Sequence, residues 1–255
     1  MKALVCAVGA LWLLACGSDE GATTMPPKPP ENKVDPVMRV LAADAVYDGK
    51  NLSEWAVEYM RWYYSWTSDM CQTAENDPDG SNCGFNQPAG SSVWFFGSCD
   101  YSRKRDTVVM RDKCKVPYGK AIMVPVSFIG DDDAGSEDEP RTAEEISDNV
   151  AMIADTMREL RLVGDDRALD DLSGYKVGPI TFSFDVQGAP NWHSCNYFDG
   201  VENTTIDPSF VAGYFALYSP PSIGEHHLEY SGVYTYLERD YFRNVDARFE
   251  VTSDE

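Results

Sequence analysis

The sequence predicts a mainly β fold with α: an antiparallel β-sandwich, jelly-roll-like, with two amphipathic helices packed on it. Three observations carry this expectation. Several short segments alternate apolar with polar residues and are broken by Gly, Pro and Asp. Two longer segments instead repeat their apolar residues at helical spacing. No internal repeat and no regular strand–helix–strand order is present, which argues against a parallel doubly wound sheet.

The chain opens with a targeting segment. Lys2 is a positive start, and Ala3 to Ala15 is an uncharged, mostly apolar run. That run is too short to span a bilayer, which takes about 20 residues, but it fits a secretory signal over residues 1–15. It ends Leu13-Leu14-Ala15-Cys16-Gly17. This junction resembles a bacterial lipobox, which implies that Cys16 becomes the lipidated first residue. Several acyl chains on one residue anchor a protein stably. Gly17 stands where Asp would resemble an inner-membrane retention signal, so the outer membrane is the expected destination. Residues 16–36 then read as a tether, with Pro26, Pro27, Pro29, Pro30 and Pro36 among small and polar residues. At about 3.1 Å per residue it would hold a domain up to roughly 60 Å from the lipid.

Residues 37–255 read as one domain. Asn51 and Glu54 form a capping-box signature that opens a helix near 52–66. Trp55, Tyr59, Trp62 and Trp66 fall on one face of it. Thr142 and Glu145 open a second helix, predicted near 143–160, with Ile146, Val150, Ile153, Met157 and Leu160 on its apolar face. The rest reads as strands. Val93–Phe96 is a short apolar run; Ala121–Phe128 is β-branched and apolar, and Pro125 within it predicts an edge strand or a bulge. Ile180, Phe182, Phe184 and Val186 alternate, as do His226, Leu228 and Tyr230, and Val245, Ala247, Phe249 and Val251. Val211–Tyr218 is apolar and stops at Pro220-Pro221.

Charge excludes one class of partner. Asp and Glu number 42 against 21 Lys and Arg, a formal charge of −21, and phosphate backbones need cationic neutralisation. Nucleic acid is therefore not an expected partner; the membrane, through the N-terminal lipid, is.

Four segments carry a family resemblance. They are Tyr47-Asp48-Gly49-Lys50 through Glu54-Trp55 to Trp62; Asn82-Cys83-Gly84 with Ser92-Val93-Trp94-Phe95; Cys114-Lys115-Val116-Pro117-Tyr118-Gly119-Lys120 with Pro125-Val126; and Pro220-Pro221…Gly224-Glu225-His226 with Phe249-Glu250-Val251. In this order they resemble a family of uncharacterised secreted bacterial proteins with a Tyr-Gly-Lys…Glu-Trp…Trp helix, a Cys-x-Val-Pro-x-Gly-Lys strand and a Pro-Pro-Gly-x-His hairpin. Asp48 is an insertion relative to that pattern, Met60 replaces a tryptophan, and the segment around Cys195 has no counterpart. The resemblance implies a secreted β-rich fold and no activity. It also implies that Cys83 pairs with Cys114.

Five cysteines follow the signal and lipidation positions: Cys71, Cys83, Cys99, Cys114 and Cys195. Export permits disulfides, whereas zinc would want closely spaced pairs such as C-x₂-C. The odd count leaves one thiol free or bonded to another molecule. His193-Ser194-Cys195 would put two donors on one strand face, with nothing nearby to complete a metal set. His226 and His227 would face opposite sides of a strand, as exposed hairpin residues, which makes a shared metal or dyad awkward. No G-x-S-x-G elbow, H-E-x-x-H helix, P-loop or dinucleotide fingerprint occurs.

Two acidic stretches bear on cofactors. Glu75 to Asn82 has oxygen donors at alternating positions and a turn glycine, loosely like a calcium loop, but lacks the terminal bidentate Glu and contains Pro78. Asp131-Asp132-Asp133 with Glu137-Asp138-Glu139 reads as a solvated connection. No cofactor is expected at either. The stripe of Trp55, Trp62 and Trp66 reads as the face sealing the core; exposed, it would be a sugar-stacking platform. The sequence thus leads to a lipid-anchored cell-envelope protein, ligand-binding or structural, on the periplasmic or outer side of the outer membrane. The alternative is an envelope hydrolase in which Glu225, His226 or His193 converge with acids in one pocket.

Overall fold

In a computed structural model the described residues are 37–65, 77–97, 102–134, 140–196 and 201–253. Helix α1 spans Leu52–Tyr64, and the strands that follow are β1 Val93–Phe95, β2 Val109–Pro117 and β3 Ala121–Asp132. Helix α2 is Ala143–Asp155, followed by β4 Arg158–Gly164, β5 Arg167–Ala168 and β6 Lys176–Val186. The short helix α3 is Trp192–Asn196, and the chain continues with β7 Thr204–Tyr218, β8 Gly224–Tyr236 and β9 Arg239–Thr252. The strands form a four-stranded sheet, β1-β3-β7-β6, and a five-stranded sheet, β2-β9-β8-β4-β5. The result is a mainly β sandwich with helices, as the alternation predicts. Cys16 and the tether lie outside the described residues, as do Trp66, Cys71 and Cys99.

Both helices start where their sequences say. Asn51 accepts from Glu54 N–H while the Glu54 carboxylate accepts from Asn51 N–H, and Thr142 and Glu145 repeat the arrangement. Helix α2 stops earlier than predicted. Its last turn is closed by Thr156, whose hydroxyl donates to the Ile153 carbonyl and accepts from Thr235 N–H. Leu160 belongs to β4, which pairs with β8 through Leu162↔Tyr230 and Arg158↔Val233. Helical spacing of apolar residues continued past the helix because the next strand also turns apolar residues inward.

Pairing is antiparallel for β3·β7, β6·β7, β4·β5, β4·β8 and β8·β9. Two pairs differ from the all-antiparallel expectation: β1 runs parallel to β3, and β2 parallel to β9. Pro125 lies just past the end of β1, whose register stops at Phe95↔Met123, and the β3 register shifts between Pro125 and Ser127. The missing N–H therefore costs no ladder bond to β1, and the expected bulge is present. Gly213 permits the close approach of β3 and β7. Its φ is +147°, and a Cβ there would sit 2.3 Å from the Ser127 carbonyl oxygen.

The aromatic stripe of α1 seals the core. Trp55 and Trp62 are 4% and 2% exposed. Tyr59 packs edge-on to Phe95, Phe128 and Phe215. The indole N–H groups of Trp55 and Trp62 donate to the carbonyls of Tyr47 (3.0 Å) and Phe85 (3.2 Å), so both polar atoms are satisfied. The platform reading is overturned for Trp55 and Trp62, since neither presents a ring face to solvent. Cys83 and Cys114 are disulfide-bonded, which ties the 77–92 segment to β2. Cys195 is disulfide-bonded as well.

Candidate functional site

The site is built by strand alternation. In β8 and β9, His226, Leu228 and Tyr230 and Val245, Ala247 and Phe249 point inward. Their neighbours necessarily point outward, and the register sets them side by side as Glu225↔Glu250, His227↔Arg248 and Glu229↔Asp246. Strand β2 adds Lys113 and Lys115 at one edge. The turn joining β4 to β5 adds Asp165 and Asp166 on the other side, both at positive φ, 47° and 62°. This solvent-facing sheet surface holds an open cleft of about 710 Å³. A second concavity of about 470 Å³ lies beside Arg161, Glu229 and Asp246.

His226 forms the buried wall of the cleft. Its Nδ1 is 2.8 Å from Asp165 Oδ2 and its Nε2 is 2.9 Å from the Ser222 carbonyl oxygen. Both neighbours are acceptors, so both ring nitrogens must donate and the ring is an imidazolium. Burial disfavours that charge, but the hydrogen bonds to Asp165 and Ser222 overcome it and raise the pKa. Asp165 is pushed up by its own burial, yet His226 and the N–H groups of His227 and Met38 hold it below the usual carboxylate value. The expectation of an exposed hairpin histidine is wrong here, because its acid partner comes from a turn 61 residues away.

His227 faces the other way, as predicted. Its Nε2 donates to Asp246 Oδ1 at 2.9 Å, and Glu229, 3.8 Å away, pairs in turn with Arg161 at 2.7 Å. This group forms the ridge between the two concavities. Lys113 is neutralised by Asp79 at 2.6 Å and Lys115 leans on Glu250 at 3.7 Å. By contrast the side chains of Arg248, Glu225 and Asp166 have no hydrogen bond or ion pair among the described residues.

The other predicted positions fall elsewhere. His193 and Cys195 lie on α3, not on a strand, and the disulfide on Cys195 removes it as a metal ligand. His193 is 1% exposed, stacked on Phe184 and Tyr64, with Nε2 3.8 Å from Asp132. Burial raises the Asp132 carboxyl and the charge of His193 opposes that rise. The first half of the acidic run is therefore not a solvated loop. Asp131 receives a bidentate Arg141 at 2.8 and 2.9 Å plus the Asn149 amide, and Asp133 accepts from Arg141 N–H. Arg141 was missed because it stands 8 residues past Asp133 and 10 past Asp131 and folds back on them. Glu137, Asp138 and Glu139 lie outside the described residues.

Of the calcium-like loop, Glu75 and Asn76 lie outside the described residues, and Asp77 and Asp79 are committed to the chain's own cations. Asp77 is buried beside Arg111 and accepts from Asn82 N–H, while burial raises its pKa. Hydrogen bonds from Lys113 and Ser81 hold Asp79 well below the usual range. Among the described residues no group of three His, Cys, Asp or Glu side chains is arranged to hold a metal ion. No protein-family model, curated protein or solved structure matches this chain.

Proposed function

We propose that this protein is a lipid-anchored component of the bacterial cell envelope whose sandwich binds a polar ligand on the solvent face of its five-stranded sheet. The observation that carries the binding reading is the uncommitted charge in the cleft. Arg248, Glu225, Asp166 and Asp112 line an open concavity with no side-chain partner, beside Lys113, Lys115, Asp165 and His226, which are paired. Polar groups left unpaired at a concave surface are what a ligand can satisfy. The neighbouring His226 is suited to architecture, since an imidazolium with both nitrogens donating has none left to accept a proton. The anchoring reading rests on the short apolar run, the Leu-Leu-Ala-Cys junction and the proline-rich tether. The order of four motifs shared with the secreted family supports export.

The tests are separate. Mass spectrometry of membrane-extracted protein should show an acylated Cys16, and a Cys16→Ala chain should leave the membrane fraction. Full retention of that variant would refute anchoring. For binding, the full chain in detergent is titrated with glycans, amino acids and peptides by calorimetry. A ligand that loses affinity in Arg248→Gln supports the sheet face as its site.

One observation favours a second reading as a hydrolase. The Asp246–His227 pair is a carboxylate-oriented imidazole bordering the cleft. Turnover of an ester or glycoside abolished by His227→Ala would replace the binding reading with this one.

A further inference from the structure

We infer that the cleft on the five-stranded sheet selects a zwitterion, a free amino acid or short peptide, with Arg248 taking its carboxylate and Glu225 and Asp166 its ammonium. This rests on the reading of that face as a binding surface and adds the ligand's chemistry.

The inference follows from how charge is laid across the strands. One row runs from the bulged Asp112-Lys113 pair through Arg248 and His227 to the Asp165–Asp166 turn, from β2 through β9 and β8 to β4. The next row is Lys115, Glu250 and Glu225. Strands lie about 4.8 Å apart. Cations therefore concentrate on the β2 and β9 side, and acids on the side of β8 and the β4–β5 turn. Pairing within the protein removes much of this polarity. Lys113 is held by Asp79, Lys115 by Glu250, and Asp165 by His226. What remains uncommitted is the Arg248 guanidinium with Asp112 on the β2 and β9 side, and the Glu225 and Asp166 carboxylates with no cation on the other.

Each simpler ligand leaves something unsatisfied. A pure anion would meet Arg248 but also Glu225, Asp166 and a chain of net charge −21. A pure cation would meet the two acids but also Arg248. A neutral sugar would use neither charge to advantage. A zwitterion satisfies both signs at once, and a guanidinium suits a carboxylate because its planar fork donates two parallel hydrogen bonds. Arg248 and Glu225 are diagonal neighbours on adjacent strands, with positions about 7–8 Å apart. They form no ion pair with each other. That span admits a ligand whose charges are separated by one or two residues. His227 is fixed at the border of the cleft by Asp246 on its ring and Asp165 on its backbone N–H, so this wall is preorganised.

The test uses the full chain with alanyl-alanine as probe, in ligand-observed NMR and calorimetry at low ionic strength. Alanyl-alanine should bind saturably. N-acetylation or C-terminal amidation should each weaken it at least tenfold. Arg248→Gln should make the free and amidated peptides bind alike, and Glu225→Gln combined with Asp166→Asn should do the same for the free and acetylated pair. Arg239→Gln, outside the cleft, should leave all three titrations unchanged. Equal binding of capped and uncapped peptide would overturn the inference, as would no binding of any uncapped form. A parallel titration with cellobiose, acetate and putrescine separates the two levels. If cellobiose or acetate binds and Arg248→Gln weakens it, or putrescine binds and Glu225→Gln weakens it, the sheet face is a binding site but not for zwitterions. If none of the probes binds, the binding reading of this face fails with it.

Discussion

Replacing His226 by glutamine tests the most consequential pair in the cleft wall. In the wild type an imidazolium donates to Asp165 at 2.8 Å and to the Ser222 carbonyl at 2.9 Å. Hydrogen bonds to charged groups contribute about 1.5–3 kcal/mol each. A glutamine amide restores at most part of one, and it leaves the Asp165 carboxylate, little exposed, with only the Met38 and His227 N–H groups. The net loss is about 3 kcal/mol, or roughly 6–12 °C in melting temperature for a domain of this size. The loss depends on pH with a definite sign. The folded pKa of His226 is raised above its ordinary 6.5, so its contribution is complete below pH 6.5 and disappears as pH rises through the raised value. The folded pKa of Asp165 is lowered below 3.8, so its contribution is complete above pH 3.8 and disappears only in stronger acid. Denaturant melts of both proteins, run from pH 4 to pH 10, should therefore show a gap that is widest between about pH 4 and 6.5 and narrows on the alkaline side. A gap that stays constant through pH 10 would refute the imidazolium assignment.

Four further outcomes are expected. Trp62→Ala removes a core ring and should cost about 3–5 kcal/mol; unchanged melting would contradict its place in the core. Reducing the Cys83–Cys114 bond, which closes a loop with separation 31, should cost about 3–4 kcal/mol by loop entropy, and recovery of alkylated Cys83 from native protein would refute the pairing. Asp131→Asn should lower stability by about 1–2 kcal/mol, because Arg141 loses its bidentate partner. Millimolar calcium should leave wild-type melting unchanged at matched ionic strength, and a rise of several degrees that Asp131→Asn abolishes would overturn the ion-pair account of Arg141.

What could be read from the sequence was local. Each capping box lies within four residues, and the inward alternation of β8 and β9 is a property of consecutive positions. The same alternation, read for its other face, already places His227, Glu229, Asp246 and Arg248 together, so the site was half visible in the pattern that identified the core. Its other half was not. Asp165 reaches His226 across 61 residues and Arg105 reaches Glu159 across 54, and no periodicity reports such pairs. Leu160 shows the complementary failure. Its spacing from Ile153 and Met157 satisfies a helix, but pairing with β8 decides the conformation, because a strand there buries Leu162 completely. The parallel runs β1·β3 and β2·β9 were hidden for the same reason, since direction between distant segments leaves no mark on either one.

The place of β9 in its sheet has a consequence for biogenesis. This strand comes last in sequence, yet it lies between β2 and β8 and supplies the ladder to both. Until it arrives, β2 has no partner strand in its sheet, and the inward faces of Cys114 and Val116 lack Phe249 and Val251 opposite them. A nascent chain emerging in order would hold the β2 segment unpaired through most of its synthesis, and the five-stranded sheet would close in a single late step. Under the proposed export, such late closure would be an advantage: the polypeptide would stay threadable until β9 had followed the rest through.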